Sequence, residues 1–137
     1  MIYSYLTERK QRTKVNNSLS LWERIKSGVL QGSILGPLLF NIYINDIIWF
    51  TPDINIANYA DDTTPYAIED NVQQLITILE QNTGKILEWY SDNYMKSNDD
   101  KCHLLLTSST ETSVKVGNND IKNSSSEQLL GVTIGTQ

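Results

Sequence analysis

Cysteine and histidine are almost missing from this sequence of 137 residues: Cys102 and His103 are the single example of each. One cysteine excludes an intrachain disulfide and a multi-cysteine zinc site, and one histidine adds too little to build a structural zinc centre. The pair Cys102-His103 reads instead as the start of a strand. Long hydrophobic runs are also missing. The most apolar stretch, Leu38 to Phe50, is interrupted by Asn41, Asn45 and Asp46, so it is not a membrane span. The opening residues, Met1-Ile2-Tyr3-Ser4-Tyr5, lack the basic-then-apolar plan of a secretory signal, which leaves an intracellular protein, nuclear or cytoplasmic, as the expectation. Without such a signal the Asn-x-Ser sequons at Asn16 and Asn123 carry little weight. No internal repeat is visible.

What is present suffices for a core: 39% of the residues are hydrophobic, and the length fits one small domain, residues 1–137, or a piece of a larger one. Basic residues are scarce overall, and the net charge is −5. Their distribution is uneven. Residues 1–30 hold six of the eleven, Arg9, Lys10, Arg12, Lys14, Arg24 and Lys26, against Glu8 and Glu23. The cluster Arg9, Lys10, Arg12 and Lys14 reads in two ways. It is either an edge that contacts nucleic-acid phosphates or a charged edge strand that discourages aggregation.

Taken in order, Ile2 to Leu6 reads as the end of a helix. Residues 11–16 and 20–28 read as two strands about the turn Asn16-Asn17-Ser18, with partial apolar alternation. Gly28, Gly32 and Gly36 then mark a loop where the backbone comes close to something. Pro37 suits the first turn of a helix, with Ser33 or Gly36 as its cap. That helix is expected to run to about Phe50 and, being apolar on most sides, to be buried. The loop has no Gly-Lys-Ser/Thr ending and is not a P-loop. It is either a plain connection or a surface that lets a nucleotide lie against the backbone, with Gln31 supplying amide hydrogen bonds.

Thr51-Pro52-Asp53 breaks the helix. Residues 54–60 and 64–68 read as a hairpin with Asp61 and Asp62 at its tip. Adjacent side chains on a strand point to opposite faces, but a turn breaks the alternation, so both acids can approach one site. Two close carboxylates suit a hard cation, and Mg²⁺ typically takes one or two carboxylates together with waters and substrate phosphates. An isolated Asp-Asp pair is equally ordinary turn chemistry. Asp70 or Asn71 caps a helix over about Val72 to Tyr94, with Val72, Leu75, Ile76 and Leu79 on one face. Ile86, Trp89, Tyr90 and Tyr94 continue an apolar stripe, and Gly84 is a candidate bend. A polar turn, Ser97 to Asp100, leads through Lys101 to a strand, His103 to Thr107. Residues 108–113 and 123–127 read as loops, Ser113 to Lys122 as a hairpin about Gly117-Asn118-Asn119, and Leu129 to Ile134 as a last strand.

The order of glycine loop, apolar helix, carboxylate hairpin, amphipathic helix and strand resembles the palm region of a reverse transcriptase of the LINE-type (non-LTR retrotransposon) group. Tyr59-Ala60-Asp61-Asp62 matches that family's catalytic hairpin. Gln31-Gly32-Ser33-Ile34-Leu35-Gly36-Pro37-Leu38-Leu39-Phe40, with Tyr43-Ile44-Asn45-Asp46, matches its glycine-containing substrate motif and the helix after it. Lys101 stands where the family places a lysine, and Leu129-Leu130-Gly131-Val132 resembles the strand near the primer end. The resemblance covers nearly the whole chain.

It implies an α+β fold, a polymerase palm-like antiparallel sheet packed against helices and truncated at both ends. It implies RNA-directed DNA polymerase activity by two-metal nucleotidyl transfer, with Mg²⁺ or else Mn²⁺ as cofactor, and an RNA template, a DNA primer and dNTP as partners of the full-length protein. Asp61 and Asp62 would be catalytic metal ligands, and Lys101 a cation or proton donor near the leaving phosphate. Gln31, Gly32 and Ser33 would position the nucleotide and its base pair, and Tyr59 would pack beside the primer terminus.

Two departures accompany the match. Leu30 stands where the family usually has proline. The family's other metal-binding aspartate lies on an earlier strand, and the first aspartate here is Asp46, inside the helix motif. Fingers, thumb and endonuclease segments have no counterpart. The expectation is a fragment inactive alone. The rivals are a non-catalytic nucleic-acid-binding remnant that uses the Arg9 to Lys14 cluster, and a pseudogene product with neither function nor partner.

Overall fold

The computed structural model describes residues 2–30, 32–108 and 110–135. The chain divides into two compact units, Met1–Ile44 and Asn45–Gln137. The expected Gln31 contacts lie outside the described residues.

The first unit opens with helix α1 (Ile2–Leu6). Short strands β1 (Lys10–Gln11), β2 (Lys14–Val15), β3 (Ser18–Leu19) and β4 (Glu23–Arg24) follow. They nest as one antiparallel arm. β1 pairs with β4, Lys10 opposite Arg24, and β2 pairs with β3, Val15 opposite Ser18. The turn is therefore the two residues Asn16 and Asn17, with Asn16 at φ 53°. The two long strands expected from the sequence are broken into pairs. Every strand residue of the arm is exposed, so no buried face holds a long register, and a lone two-stranded ribbon is marginal in water.

Helix α2 (Leu35–Ile44) ends the unit. Ser33 caps it as expected: its hydroxyl oxygen accepts the Gly36 N–H at 3.0 Å. Gly36 is required by contact. A Cβ there would lie 2.8 Å from Ser33 Oγ and 3.1 Å from the Leu30 carbonyl oxygen. The buried helix running to Phe50 is not observed. The α-helix stops at Ile44, and only Gly36 and Ile44 of it are buried; Leu38, Ile42 and Tyr43 are exposed. Asn45 and Asp46 side chains compete for backbone groups, and the next segment, Asn45–Phe50, is a tighter 3-10 helix. An all-round apolar helix is buried only where neighbours cover each side, and most of α2 is exposed or half-buried.

In the second unit the 3-10 segment contributes Ile47, fully enclosed, while Trp49 stays 77% exposed. Strands β5 (Asn55–Tyr59) and β6 (Asp62–Tyr66) form an antiparallel hairpin, from Asn55 opposite Tyr66 to Tyr59 opposite Asp62, with Ile56 opposite Pro65. Helix α3 (Val72–Asp92) follows. Asn71 Oδ1 accepts the N–H groups of Gln73 and Gln74 at 2.9 and 3.1 Å, an N-cap worth about 1 kcal/mol over alanine. The buried stripe is Ile76, Leu79, Asn82, Ile86 and Trp89, all on one helical face. Tyr94 does not extend it. It lies beyond the helix at φ 55°, 99% exposed.

A second 3-10 turn, Asp99–Lys101, leads to β7 (Leu104–Leu105), β8 (Ser113–Val116) and β9 (Asn119–Ser124). These form a sheet in the order β7-β9-β8, parallel between β7 and β9 and antiparallel between β8 and β9. Ile76 and Leu79 of α3 pack on Val114, with Val72, Leu75, Leu104 and Val116 around them. The expected loop at 123–127 is largely strand. Asn123 and Ser124 pair with β7, and β10 (Ser126–Leu129) starts after the single residue Ser125. Pairing with β7 overrides weak strand propensity. The expected last strand is the turn and second arm of a hairpin, β10 with β11 (Val132–Gly135), closed by Leu130 at φ 50° and Gly131 at φ 82°. The architecture is mixed helix and small sheets, of the α+β type.

Helix α3 runs unbroken through Gly84, which is exposed, and a Cβ there would meet nothing within 4 Å. Gly84→Ala is expected to raise stability by about 1 kcal/mol, read as a higher urea midpoint at unchanged slope.

Candidate functional site

The hairpin tip carries the central pair. Register fixes Ala60 and Asp61 as the two turn residues and places Asp62 first on β6, opposite Tyr59. Ala60 has φ 52°, and positive φ at the first central residue is a feature of the primed turns that close two-residue hairpins. For alanine that conformation costs roughly 1–2 kcal/mol. Both acids and Tyr59 are exposed. Neither carboxylate has a hydrogen-bond or ion-pair partner among the described residues. The tip is therefore an open pair of adjacent acids whose lone pairs are not used by the fold.

One hydrogen bond and a ring contact seat the hairpin. Tyr90 Oη on α3 donates to Thr63 Oγ1 on β6 at 2.8 Å. Tyr90 also meets Trp89 edge to face, with ring centroids 5.8 Å apart, and Trp89 is 1% exposed. The residue beside Asp62 is thus tied to the best-buried part of the helix. Thr63 was not singled out from sequence, and Tyr90 was read there only as part of the apolar stripe. A tyrosine next to the buried stripe was the available signal, since its hydroxyl needs a partner when its ring packs inward. Behind the hairpin, Lys85 Nζ reaches Asp53 at 3.3 Å and the Asn82 side-chain oxygen at 3.3 Å. Buried Asn82 gives its own N–H to the Ile78 carbonyl at 2.9 Å.

The donor set can be compared with what metals need. Among the described residues no group of three or more His, Cys, Asp or Glu side chains could hold a metal ion. A closed protein cage is therefore not built here. Two free, adjacent carboxylates fit the other style of site, in which Mg²⁺ takes one or two carboxylates and fills its shell with waters and phosphate oxygens.

Lys101 ends the 3-10 turn Asp99–Lys101 and is exposed. It makes no ion pair with Asp61 or Asp62. Its N–H bonds the Asn98 carbonyl at 3.0 Å, and Ser97 Oγ donates to Asp99 at 2.6 Å. Next to it, burial and then the Asp99 charge push the Cys102 thiol up from its ordinary value.

The first unit holds the glycine loop and the basic arm. Ser33 Oγ takes the Gly36 N–H, gives its proton to the Leu30 carbonyl at 2.8 Å, and lies 2.5 Å from Tyr5 Oη. Of the four basic residues, Lys10 and Lys14 are exposed on the arm. The Arg12 guanidinium carbon sits 4.6 Å from the Trp22 ring centroid, a cation–π contact. Arg9 Nη2 donates to the Gly28 carbonyl at 2.6 Å. Its Nε and Nη1 are buried without a hydrogen-bond partner.

The family model "Reverse transcriptase (RNA-dependent DNA polymerase)" matches residues 1–134. Similar curated proteins come from Drosophila melanogaster. The chain is 29% identical to the RNA-directed DNA polymerase from mobile element jockey, over 74% of the chain and 12% of that protein. It is 27% identical to the probable RNA-directed DNA polymerase from transposon BS, over 98% of the chain and 16% of that protein. A shorter match, 34% identical over 45% of the chain and 7% of the relative, is to the probable RNA-directed DNA polymerase from transposon X-element. The chain thus spans a small part of the relatives it matches. No solved structure matches.

Two measurements check this geometry. Tyr90→Phe is expected to cost about 1 kcal/mol and to speed amide exchange in β6 while α3 stays protected; unchanged β6 exchange would mean that the Thr63 bond does not seat the hairpin. Because a raised thiol pKa leaves less thiolate at a given pH, Cys102 is expected to alkylate more slowly than a free cysteine at about pH 8 in the folded protein and to lose that lag on unfolding.

Proposed function

The chain belongs to the reverse transcriptase (RNA-dependent DNA polymerase) family, and from that premise we propose that it forms part of a palm-like catalytic region of a non-LTR retrotransposon polymerase. The parent reaction would join a dNTP to a DNA primer on an RNA template. The observation that carries this reading is the Tyr59–Asp62 tip: two exposed, adjacent carboxylates that the fold leaves without partners.

Asp61, in the turn itself, would be the principal ligand of a divalent ion, and Asp62 the supporting one. Reverse transcriptases generally use such ions; Mg²⁺ suits this oxygen-only pair, and Mn²⁺ is the alternative. When bound between carboxylates and phosphates, divalent ions stabilise the attacking and leaving oxygens of an in-line phosphoryl displacement. The residues themselves supply position. Tyr59, exposed and paired across the hairpin with Asp62, would pack beside the primer terminus. Gln31, Gly32 and Ser33 belong to the loop that would lie against the incoming nucleotide, and Lys101 would stand by the leaving phosphate. Lys10 and Lys14 are free to meet backbone phosphates; Arg12 keeps a charged edge beyond Trp22. Arg9 is less suited to that task, since its guanidinium is already committed to the Gly28 carbonyl.

A two-carboxylate tip without a third acid would bind a cation weakly, and the chain alone is expected not to extend primers. With Mn²⁺ as a paramagnetic probe, NMR signals of residues 59–63 should broaden first, and Asp61→Ala together with Asp62→Ala should remove the effect. Broadening spread evenly over the acidic surface would overturn the site. Primer extension on a primed RNA template with Mg²⁺ and dNTP should give no product from this chain; robust synthesis abolished by Asp61→Ala would show that the pair suffices.

A further inference from the structure

The hydroxyl of Ser33 is fully used by the fold. A serine hydroxyl has one proton to give and two lone pairs to accept with. Its proton goes to the Leu30 carbonyl oxygen at 2.8 Å, and one lone pair takes the Gly36 N–H at 3.0 Å. The remaining neighbour, Tyr5 Oη at 2.5 Å, must therefore be a donor. The Ser33 N–H also closes back on the Leu30 carbonyl at 3.2 Å. Ser33 is the knot of this loop, and Tyr5, twenty-eight residues earlier, ties it to α1.

The other end of the loop is held from the same segment. Arg9 Nη2 donates to the Gly28 carbonyl at 2.6 Å, and the Arg9 carbonyl accepts the Ile25 N–H at 2.9 Å. Arg9 thus grips the chain twice, just before and at the start of the loop. Its Nε and Nη1 are shut off from solvent, so a phosphate cannot reach that edge of the guanidinium. A charge buried to this degree is expensive unless its hydrogen bonds are strong, and bonds from an ionised donor are stronger than neutral ones. Gly36, where a Cβ would collide with both Ser33 Oγ and the Leu30 carbonyl, permits the same closure from inside.

We propose that Arg9 and Tyr5 are positioning residues that fasten the glycine-containing loop at its two ends, Arg9 through the Gly28 carbonyl and Tyr5 through the saturated hydroxyl of Ser33. Resting on the polymerase reading above, this gives the segment before the basic arm a role in nucleotide placement. It also moves Ser33 and Arg9 from direct contact with substrate to support of the loop that makes it. Pre-set backbone groups need no ordering when the nucleotide arrives, so the benefit falls on binding.

The test has a structural arm and a kinetic arm. In this chain, Arg9→Gln and Tyr5→Phe should each speed exchange of the Ser33 and Gly36 amides by about tenfold, the scale of one such hydrogen bond, with α3 protection unchanged. Arg9→Lys, which keeps a charged donor, should restore part of it. In a primer-extending polymerase that contains these residues, Tyr5→Phe should raise the KM for dNTP by about tenfold at a kcat within about twofold, as loss of uniform binding does. Unchanged exchange in both variants would overturn the fastening. Faster exchange with an unchanged KM would overturn the positioning role. If Arg9→Gln unfolds the chain, Tyr5→Phe, which removes one hydroxyl, decides. Asp61→Ala is run alongside: if extension survives it, the polymerase site falls while the exchange result stands by itself.

Discussion

Burial of one stripe of α3 is the interaction on which the larger unit depends. The sheets around it are small: two hairpins of two strands and one sheet of three. A two-stranded hairpin is marginal in water alone. Ile76 and Leu79 give Val114 and its neighbours a floor, while Tyr90, packed edge to face on Trp89, reaches the carboxylate hairpin. Fully burying side chains of this size contributes about 1.5–3 kcal/mol each, so a handful of them outweighs every surface ion pair in the chain. The Lys85–Asp53 pair, exposed at both ends, belongs to the class worth little.

That dependence explains which parts of the fold were legible in the sequence. The α3 stripe and its Asn71 cap are local patterns, three and four residues apart, and they appear where periodicity places them. The acid hairpin was legible for a similar reason, since its turn and both arms lie within a dozen residues. The features that went unread depend on partners. Burial of α2 was inferred from its composition, but composition states only what a helix would bury given neighbours. Asn123 and Ser124 look like loop and become strand because β7 pairs with them. Leu130 at positive φ is a conformation that no leucine advertises; Gly131 was the one visible sign of that turn.

The site shows the same division. Asp61, Asp62 and the glycine loop could be named from residue type and order. The atoms that hold them could not. Tyr90 to Thr63, Tyr5 to Ser33 and Arg9 to Gly28 are contacts 27, 28 and 19 residues apart, with nothing in their spacing to announce them. In each, a long side chain delivers one polar atom to a short segment that carries candidate site residues. The basic cluster separates along that line. Read as one patch, it is two exposed lysines, one arginine stacked on an indole and one arginine turned inward.

Pro65 has a consequence for how the carboxylate hairpin meets other backbone. Across a two-residue turn, Tyr59 and Asp62 form the hydrogen-bonded closing pair, and the pattern then alternates along the ladder. Counting from there, Ile56 and Pro65 fall at a position where the backbone groups point outward. The N–H that proline lacks is therefore not missed by the hairpin, which keeps its ladder intact. It is missed on the outer edge of β6. A strand laid against that edge would find one donor absent at mid-length, whereas the outer edge of β5 carries its full complement. The prong that bears the two aspartates is thus asymmetric toward added strands, open along one side and discouraged along the other.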